Sequence, residues 1–266
     1  MIVSLGRQAY FRTINRRRDI MTDTLERTAI VTGASKGIGA AIALRLGADG
    51  FAVVVNYSRD EQPALDVVSA IKAAGGRAIA VKADIGAASG VAALFDAAEQ
   101  AFGGVDVLVN NAGIMTLGPI ATVEDADFER QVAINLGGTF RGMREAARRL
   151  RNGGRIVNFS SSVVGLYQPA YGVYAATKAA VEALTHILAK ELGSRDITVN
   201  AVAPGPVETD LFMTGKSEEV LKTIIGLNPR KRLGQPNDIA SVVSFLAGPD
   251  SGWVSGQIIR ANGGVI

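Results

Sequence analysis

Short, almost wholly apolar runs alternate along the chain with longer stretches whose apolar residues recur every three to four positions. The short runs are Thr28–Val31, Ala52–Asn56, Ala78–Lys82, Val105–Val109, Ile156–Phe159, Thr198–Val202 and Ile258–Arg260. Runs such as Val53-Val54-Val55 have no polar face, which suits strands covered on both sides. The longer stretches predict helices over Ile38–Ala48, Gln62–Ala74, Gly90–Phe102, Phe128–Leu150, Tyr174–Glu191 and Ile239–Leu246. Alternation of strand and helix predicts an α/β fold, a doubly wound parallel sheet of about seven strands with helices on both faces. No stretch reads as an interdomain linker and no internal repeat is visible, so residues 27–266 are expected to form one domain.

Residues 1–26 break the pattern. Their periodicity is weak, and residues 1–20 hold Arg7, Arg12, Arg16, Arg17 and Arg18 against Asp19 alone, a net of +4. The whole chain carries +3, so the remainder is near neutral at −1. This segment reads as a disordered extension; Met21 is a second candidate start, and an arginine-rich, acid-poor leader also reads as organelle targeting. The body is otherwise expected in the cytoplasm. Its near-neutral charge gives no argument for nucleic-acid binding. Ile156–Thr177 lacks charge but contains Asn158, three serines, Gln168 and Pro169, which argues against a membrane span.

Of the 266 residues, 48% are hydrophobic and 20% charged, enough for a sizeable core. There is no cysteine, which excludes disulfides, thiolate metal sites and cysteine nucleophiles. The single histidine, His186, excludes a multi-histidine metal site and lies between apolar residues, so it reads as a packing or interface residue; no metal site is expected.

The chemistry concentrates at strand ends. Thr32-Gly33-Ala34-Ser35-Lys36-Gly37-Ile38-Gly39 follows the first strand and opens the first helix, the context in which glycines let backbone approach a pyrophosphate. The second strand ends Asn56-Tyr57-Ser58-Arg59, with no acid before Asp60. An acid there would bind ribose hydroxyls, whereas Lys36, Ser58 and Arg59 suit a 2′-phosphate. Asn110-Asn111-Ala112-Gly113 ends the fourth strand, Ser160-Ser161-Ser162 the fifth, and Ala203-Pro204-Gly205-Pro206-Val207-Glu208-Thr209 the sixth. On the helix that follows the serines, Tyr174 and Lys178 stand one turn apart on one face. A phenol titrates near ~10, and a neighbouring ammonium favours its ionised form. Lys178, together with a second positive charge beside it, is therefore expected to lower the Tyr174 pKa.

Over residues 27–266 these stretches resemble the short-chain dehydrogenase/reductase family: Thr32-Gly33-x-x-x-Gly37-x-Gly39, Asp84, Asn110-Asn111-Ala112-Gly113, Asn135, Ser162, Tyr174-x-x-x-Lys178 and Pro204-Gly205. Ala261-Asn262-Gly263-Gly264, with Gly215–Glu219, is similar to plant NADPH-dependent aldehyde-reductase-like members. The resemblance implies Tyr174 as acid/base, Ser162 positioning a carbonyl, Lys178 on the nicotinamide ribose and Asn135 supporting a proton-relay water. Ser161 is the rival for the serine role; Ser162 is preferred because Val163-Val164-Gly165 follows it directly. The implied NADP(H) contacts are Gly33, Ser35, Lys36, Gly37, Ile38, Gly39, Asn56, Tyr57, Ser58, Arg59, Asp84, Ile85, Asn111, Ala112, Gly113, Tyr174, Lys178, Pro204, Gly205, Val207 and Thr209. Asp84 would lie near adenine, and Val207 and Thr209 near the carboxamide. The implied activity is reduction of an aldehyde or ketone, with 3-oxoacyl carrier-protein reduction as the alternative. The implied assembly is a homotetramer or homodimer paired through Phe128–Leu150 and Tyr174–Glu191. The apolar segment Asp210–Gly226 is expected to close over the substrate, and Arg141, Arg144 and Arg148 fall at helical spacing on a face that reads as solvated.

Overall fold

The computed structural model describes residues 27–266; the leader, with its Met21 start and targeting readings, lies outside them. Seven strands form one sheet: β1 Thr28–Val31, β2 Ala52–Tyr57, β3 Ala78–Lys82, β4 Val105–Asn110, β5 Leu150–Phe159, β6 Thr198–Pro204 and β7 Ile258–Ala261. Every pairing is parallel, in the order β3-β2-β1-β4-β5-β6-β7. The strand order reverses at β1, which lies between β2 and β4, so the connections leaving β1 and β4 diverge and open a crevice at the carboxyl ends of the strands.

The main helices are α1 Gly37–Ala48, α2 Gln62–Ala73, α3 Gly90–Phe102, α4 Asp125–Gln131, α5 Thr139–Arg149, α6 Val163–Leu166, α7 Gly172–Glu191, α8 Asp210–Met213, α9 Glu218–Leu227 and α10 Pro236–Ala247. They cover both faces of the sheet. Ala29 and Val31 of β1 pack with Ile42 and Leu46 of α1, Val68 of α2 and Val243 of α10. Ile30, between them, packs with Leu94 and Phe95 of α3, Met143 of α5 and Val181 of α7. Successive side chains of one strand thus enter opposite cores, which is why β1 and β2 need apolar residues without interruption.

One expected helix is three elements. Phe128–Leu150 begins earlier, at Asp125, winds as a π-helix over Val132–Gly138, and continues as α5 to Arg149. Asp125 and Asp127 suit a first helical turn but carry no apolar periodicity, which is why the start was displaced. The wide turn coincides with the Gly137-Gly138 pair and with Asn135, whose side chain is drawn off to a neighbouring loop. Leu150 is already extended and opens β5, six residues before Ile156. Asn152-Gly153-Gly154 resembles a turn, yet the strand runs through it with a register shift against Val105–Val107.

Candidate active site

The turn after β1 is stitched to its neighbours by side-chain hydrogen bonds. Thr32 Oγ1 accepts from the backbone N–H of Asn111 and Ala112, both at 3.0 Å. Asn111 Nδ2 donates back to the carbonyls of Thr32 (2.9 Å) and Gly33 (3.2 Å). On the other side Asn56 Oδ1 accepts from Gly33 N at 3.0 Å, while its Nδ2 donates to Tyr57, Val81 and Ala83 carbonyls. Asn56 was expected to contact a cofactor; the structure makes its side chain a buried brace. Gly33 and Gly37 adopt φ of 62° and 55°, in the left-handed region that side chains avoid. A Cβ on Gly39 would stand 2.2 Å from the Gly33 carbonyl oxygen. No side chain caps α1, so none of its first backbone N–H groups is taken up by a side-chain cap.

This turn forms one end of a cavity of about 530 Å³ at the carboxyl ends of the strands. Every residue expected to hold the cofactor lines it. At the end nearest β2 stand the exposed side chains of Lys36, Ser58 and Arg59. Lys36 Nζ lies 3.9 Å from Asp210, a pair too exposed to hold it firmly. The Tyr57 hydroxyl donates to Glu61 at 2.7 Å, so that phenol is also committed within the protein. Asp84 Oδ1 accepts from Gly86 N at 2.9 Å, forming a tight turn. At the other end Gly205 packs against Asn262, which leaves no room for a Cβ, and Thr209 caps α8 by accepting from Phe212 N at 3.3 Å.

Helix α7 is pinned to the sheet at three levels, and this fixes Tyr174 and Lys178. Lys178 Nζ donates to the Phe159 carbonyl at 2.9 Å. The Ser160 hydroxyl donates to Glu182 at 2.6 Å. Asn110 donates to Asn158 at 2.9 Å, and Asn158 to Thr185 at 3.0 Å, a buried polar row running from β4 through β5 to α7. Sequence reading missed Asn158, Thr185 and Glu182. Only their spacing, one and two turns beyond Lys178 for Glu182 and Thr185, could have marked the last two as facing the same sheet.

Ser161 and Ser162 both line the cavity but are held differently. Ser162 is buried, donates to the Ala203 carbonyl at 3.2 Å and accepts from Asn262 Nδ2 at 3.1 Å. Ser161 instead reaches the Tyr174 phenol, and its hydrogen bond there lowers the phenol pKa. Burial outweighs this and pushes Tyr174 up to about 12, with Tyr171 adding to the rise. The same burial pushes Lys178 down to about 8. In the chain by itself Lys178 does not bring the Tyr174 phenol below its ordinary range. The ammonium lies 5.6 Å from the centre of the Tyr174 ring, and desolvation dominates both groups. Asn135 is fully buried and does not line the cavity. Its amide accepts from Ile114 N at 2.8 Å and donates to Ile114 O at 2.9 Å, so the side chain braces the loop that carries Gly113.

Three other expectations meet the structure here. Asp210–Gly226 folds as the short α8 and most of α9, neither with a buried residue, and Leu211, Phe212, Ile224 and Leu227 line the cavity. Arg141 donates to the Ile85 carbonyl at 3.2 Å, and Arg144 and Arg148 approach Glu145 at 3.7 and 3.8 Å, so the stripe is engaged locally. His186 is exposed on α7 and is not a core packing residue. Arg130, Gln168 and Tyr171 also line the cavity, and no motif had marked them.

The family profile described as enoyl-(acyl carrier protein) reductase matches residues 33–266. A short-chain type dehydrogenase/reductase of Picea abies is 46% identical, covering 90% of this chain and 92% of its own. A chloroplastic NADPH-dependent aldehyde reductase-like protein of Arabidopsis thaliana is 43% identical, covering 90% and 95%. Among solved structures, the angucycline C-6 ketoreductase LanV with bound NADP superposes with a TM-score of 0.86 at 38% identity, covering 90% and 95%. With its parallel sheet, its glycine turn at the point where the strand order reverses, and the Tyr174–Lys178 pair on α7, the chain belongs to the short-chain dehydrogenase/reductase family.

Proposed function

We propose that the chain is an NADP(H)-dependent reductase of free aldehydes or ketones, working as a single domain over residues 27–266. The observation that carries this reading is one cavity that joins Ser161, Tyr174 and Lys178 to the glycine turn and to the basic side chains of Lys36 and Arg59. The names of the Arabidopsis relative and of LanV support the cofactor and the reaction class. The residues fit a 2′-phosphorylated dinucleotide. The positive-φ glycines and the uncapped start of α1 offer backbone N–H groups, Lys36, Ser58 and Arg59 offer cations and a hydroxyl, and the nearby Glu61 carboxylate accepts from Tyr57. When bound, the nicotinamide supplies the hydride. Ser161 orients the carbonyl oxygen and Tyr174 gives it a proton. A phenol held at about 12 is protonated at neutral pH, which is the form reduction needs. Lys178, close to Gly113 and fixed by the Phe159 carbonyl, sits where a ribose would be held. Asn135 serves as a brace for the Gly113 loop.

Replacing Ser161 by alanine is expected to lower kcat/KM by about 100-fold, within the range of general acid–base contributions. Ser162→Ala should act mainly through stability, with kcat/KM within roughly tenfold of wild type. The reverse ranking would restore Ser162 to the catalytic role. Cofactor choice is tested directly. NADPH should exceed NADH by at least about tenfold in kcat/KM, and Lys36→Ala with Arg59→Ala should remove that preference while sparing NADH. Equal use of both by the wild type would overturn the assignment.

The locally engaged Arg141, Arg144 and Arg148 favour a free carbonyl over a carrier-tethered thioester. Val132, Leu136, Phe140, Ala180 and Leu184 line an open apolar groove between the π-turn and α7. We assign this groove to a second copy of the chain, within a homodimer or homotetramer. Light scattering at micromolar concentration should give a mass of two or four chains, and a monomer would refute the assignment. We place the enzyme in the cytoplasm, with organelle targeting by the arginine-rich leader as the alternative. Among the described residues no helix is long and apolar enough to cross a membrane.

A further inference from the structure

The Tyr171 phenol lines the cavity one helical turn before Tyr174. Its ring is half-buried, yet among the described residues its hydroxyl has no hydrogen-bond partner. A tyrosine that is partly removed from water ordinarily satisfies its hydroxyl. Here the Tyr171 side chain lines the same cavity as Tyr174. Burial pushes this phenol up as well, so it remains a neutral donor through the physiological range. The segment before it is held in an unusual backbone. Tyr167 and Ala170 adopt φ of 49° and 71° on either side of Gln168-Pro169, and the Ala170 carbonyl accepts from Gly118 N at 3.0 Å. Strain of this kind persists only where the surroundings impose it, and it sits at functional loops more often than elsewhere. The lining of that cavity also includes the apolar side chains of Met115, Leu166, Leu211 and Phe212, with Arg130 and Gln168 among its polar ones.

We propose that Tyr171 is a specificity-determining residue whose hydroxyl donates to a second oxygen on the substrate, α or β to the carbonyl being reduced. The preferred substrates are hydroxy-ketones or diketones on an apolar skeleton. The proposal rests on the reductase reading and narrows it. A single carbonyl uses Ser161 and Tyr174 and leaves Tyr171 unpaired. A neighbouring oxygen pairs it, and a site built to bond such a group discriminates against the analogue lacking it.

The test uses two near-isosteric pairs with NADPH: 2-hydroxyacetophenone against propiophenone, and 3-hydroxy-1-phenylpropan-1-one against butyrophenone. The wild type should favour the hydroxylated member of at least one pair by about tenfold or more in kcat/KM. Tyr171→Phe keeps the ring and should cut kcat/KM for that member by about tenfold while changing its hydrocarbon partner by less than about twofold. Comparing the variant's effect within a pair cancels the intrinsic reactivity of the ketones. Equal losses on both members, or no loss on either, would overturn the proposal. So would a wild type that reduces the hydrocarbon members as well as the hydroxylated ones, an outcome that does not depend on the variant folding. If the wild type reduces no member of either pair, nor any other free aldehyde or ketone, the reductase reading falls and this proposal with it.

Discussion

Tyr174→Phe is expected to lower kcat/KM for carbonyl reduction by about 10²–10⁴-fold, or roughly 3–5 kcal/mol of transition-state stabilisation. The substitution keeps the ring beside Lys178 and removes only the oxygen that Ser161 bonds. Packing and melting temperature should therefore change little, and NADPH binding should survive. The pH profile adds a second check. With its pKa raised to about 12, the Tyr174 phenol stays protonated through neutral pH and cannot produce a fall in reduction rate between pH 6 and 9. Lys178, lowered to about 8, loses its charge as pH rises through that value. A decline of kcat/KM near pH 8 in the wild type would thus report the lysine. Less than tenfold loss in Tyr174→Phe, with chemistry rate-limiting, would remove Tyr174 from the proton-donor role.

The second large effect is expected at Gly39→Ala. The added methyl would stand 2.2 Å from the Gly33 carbonyl oxygen and 2.6 Å from Asn111 Nδ2. Neither neighbour can yield cheaply, since Asn111 holds Gly33 and Thr32 at the same time. The start of α1 must move away from the turn, and the N–H groups proposed to face the pyrophosphate move with it. Overpacking of this kind costs about 1–3 kcal/mol of stability. NADPH affinity should fall by about 100-fold, or roughly 2.7 kcal/mol. Fluorescence titration of NADPH measures the affinity, and circular dichroism confirms that helices persist. A dissociation constant within about threefold of wild type would mean that the turn does not carry the cofactor.

Much of this architecture was readable because parallel sheets covered on both faces demand uninterrupted apolar runs. Val53-Val54-Val55 could be placed without further information, and all three are fully buried. What was not legible follows from contacts distant in sequence. The hydrogen bonds of the Ser162 hydroxyl with Ala203 and Asn262 could not be read, because neither lies near it along the chain. The π-turn at Asn135 depends on Ile114 capturing its side chain. The rise in the Tyr174 pKa was missed because pairwise spacing shows the neighbouring ammonium but not the depth of burial. Asn56 ends a strand beside the crevice and lines the cavity, but the four hydrogen bonds that its amide makes within the protein could not be read from its position in the sequence.

The bond from Asn262 to Ser162 spans 100 residues. During synthesis the serine loop therefore leaves the ribosome long before the residue that anchors it exists. At about 5–20 residues per second, the interval is roughly 5–20 s. Once β6 has been made, its edge has no partner on that side until β7 follows. The glycine turn, whose partners Asn56 and Asn111 are already made, can form early, whereas the serine loop takes its final shape only after residue 262 has emerged. A message broken in this interval would yield a chain with much of its dinucleotide cradle and no finished reaction centre. Such a chain would expose an unpaired strand edge to chaperones and proteases.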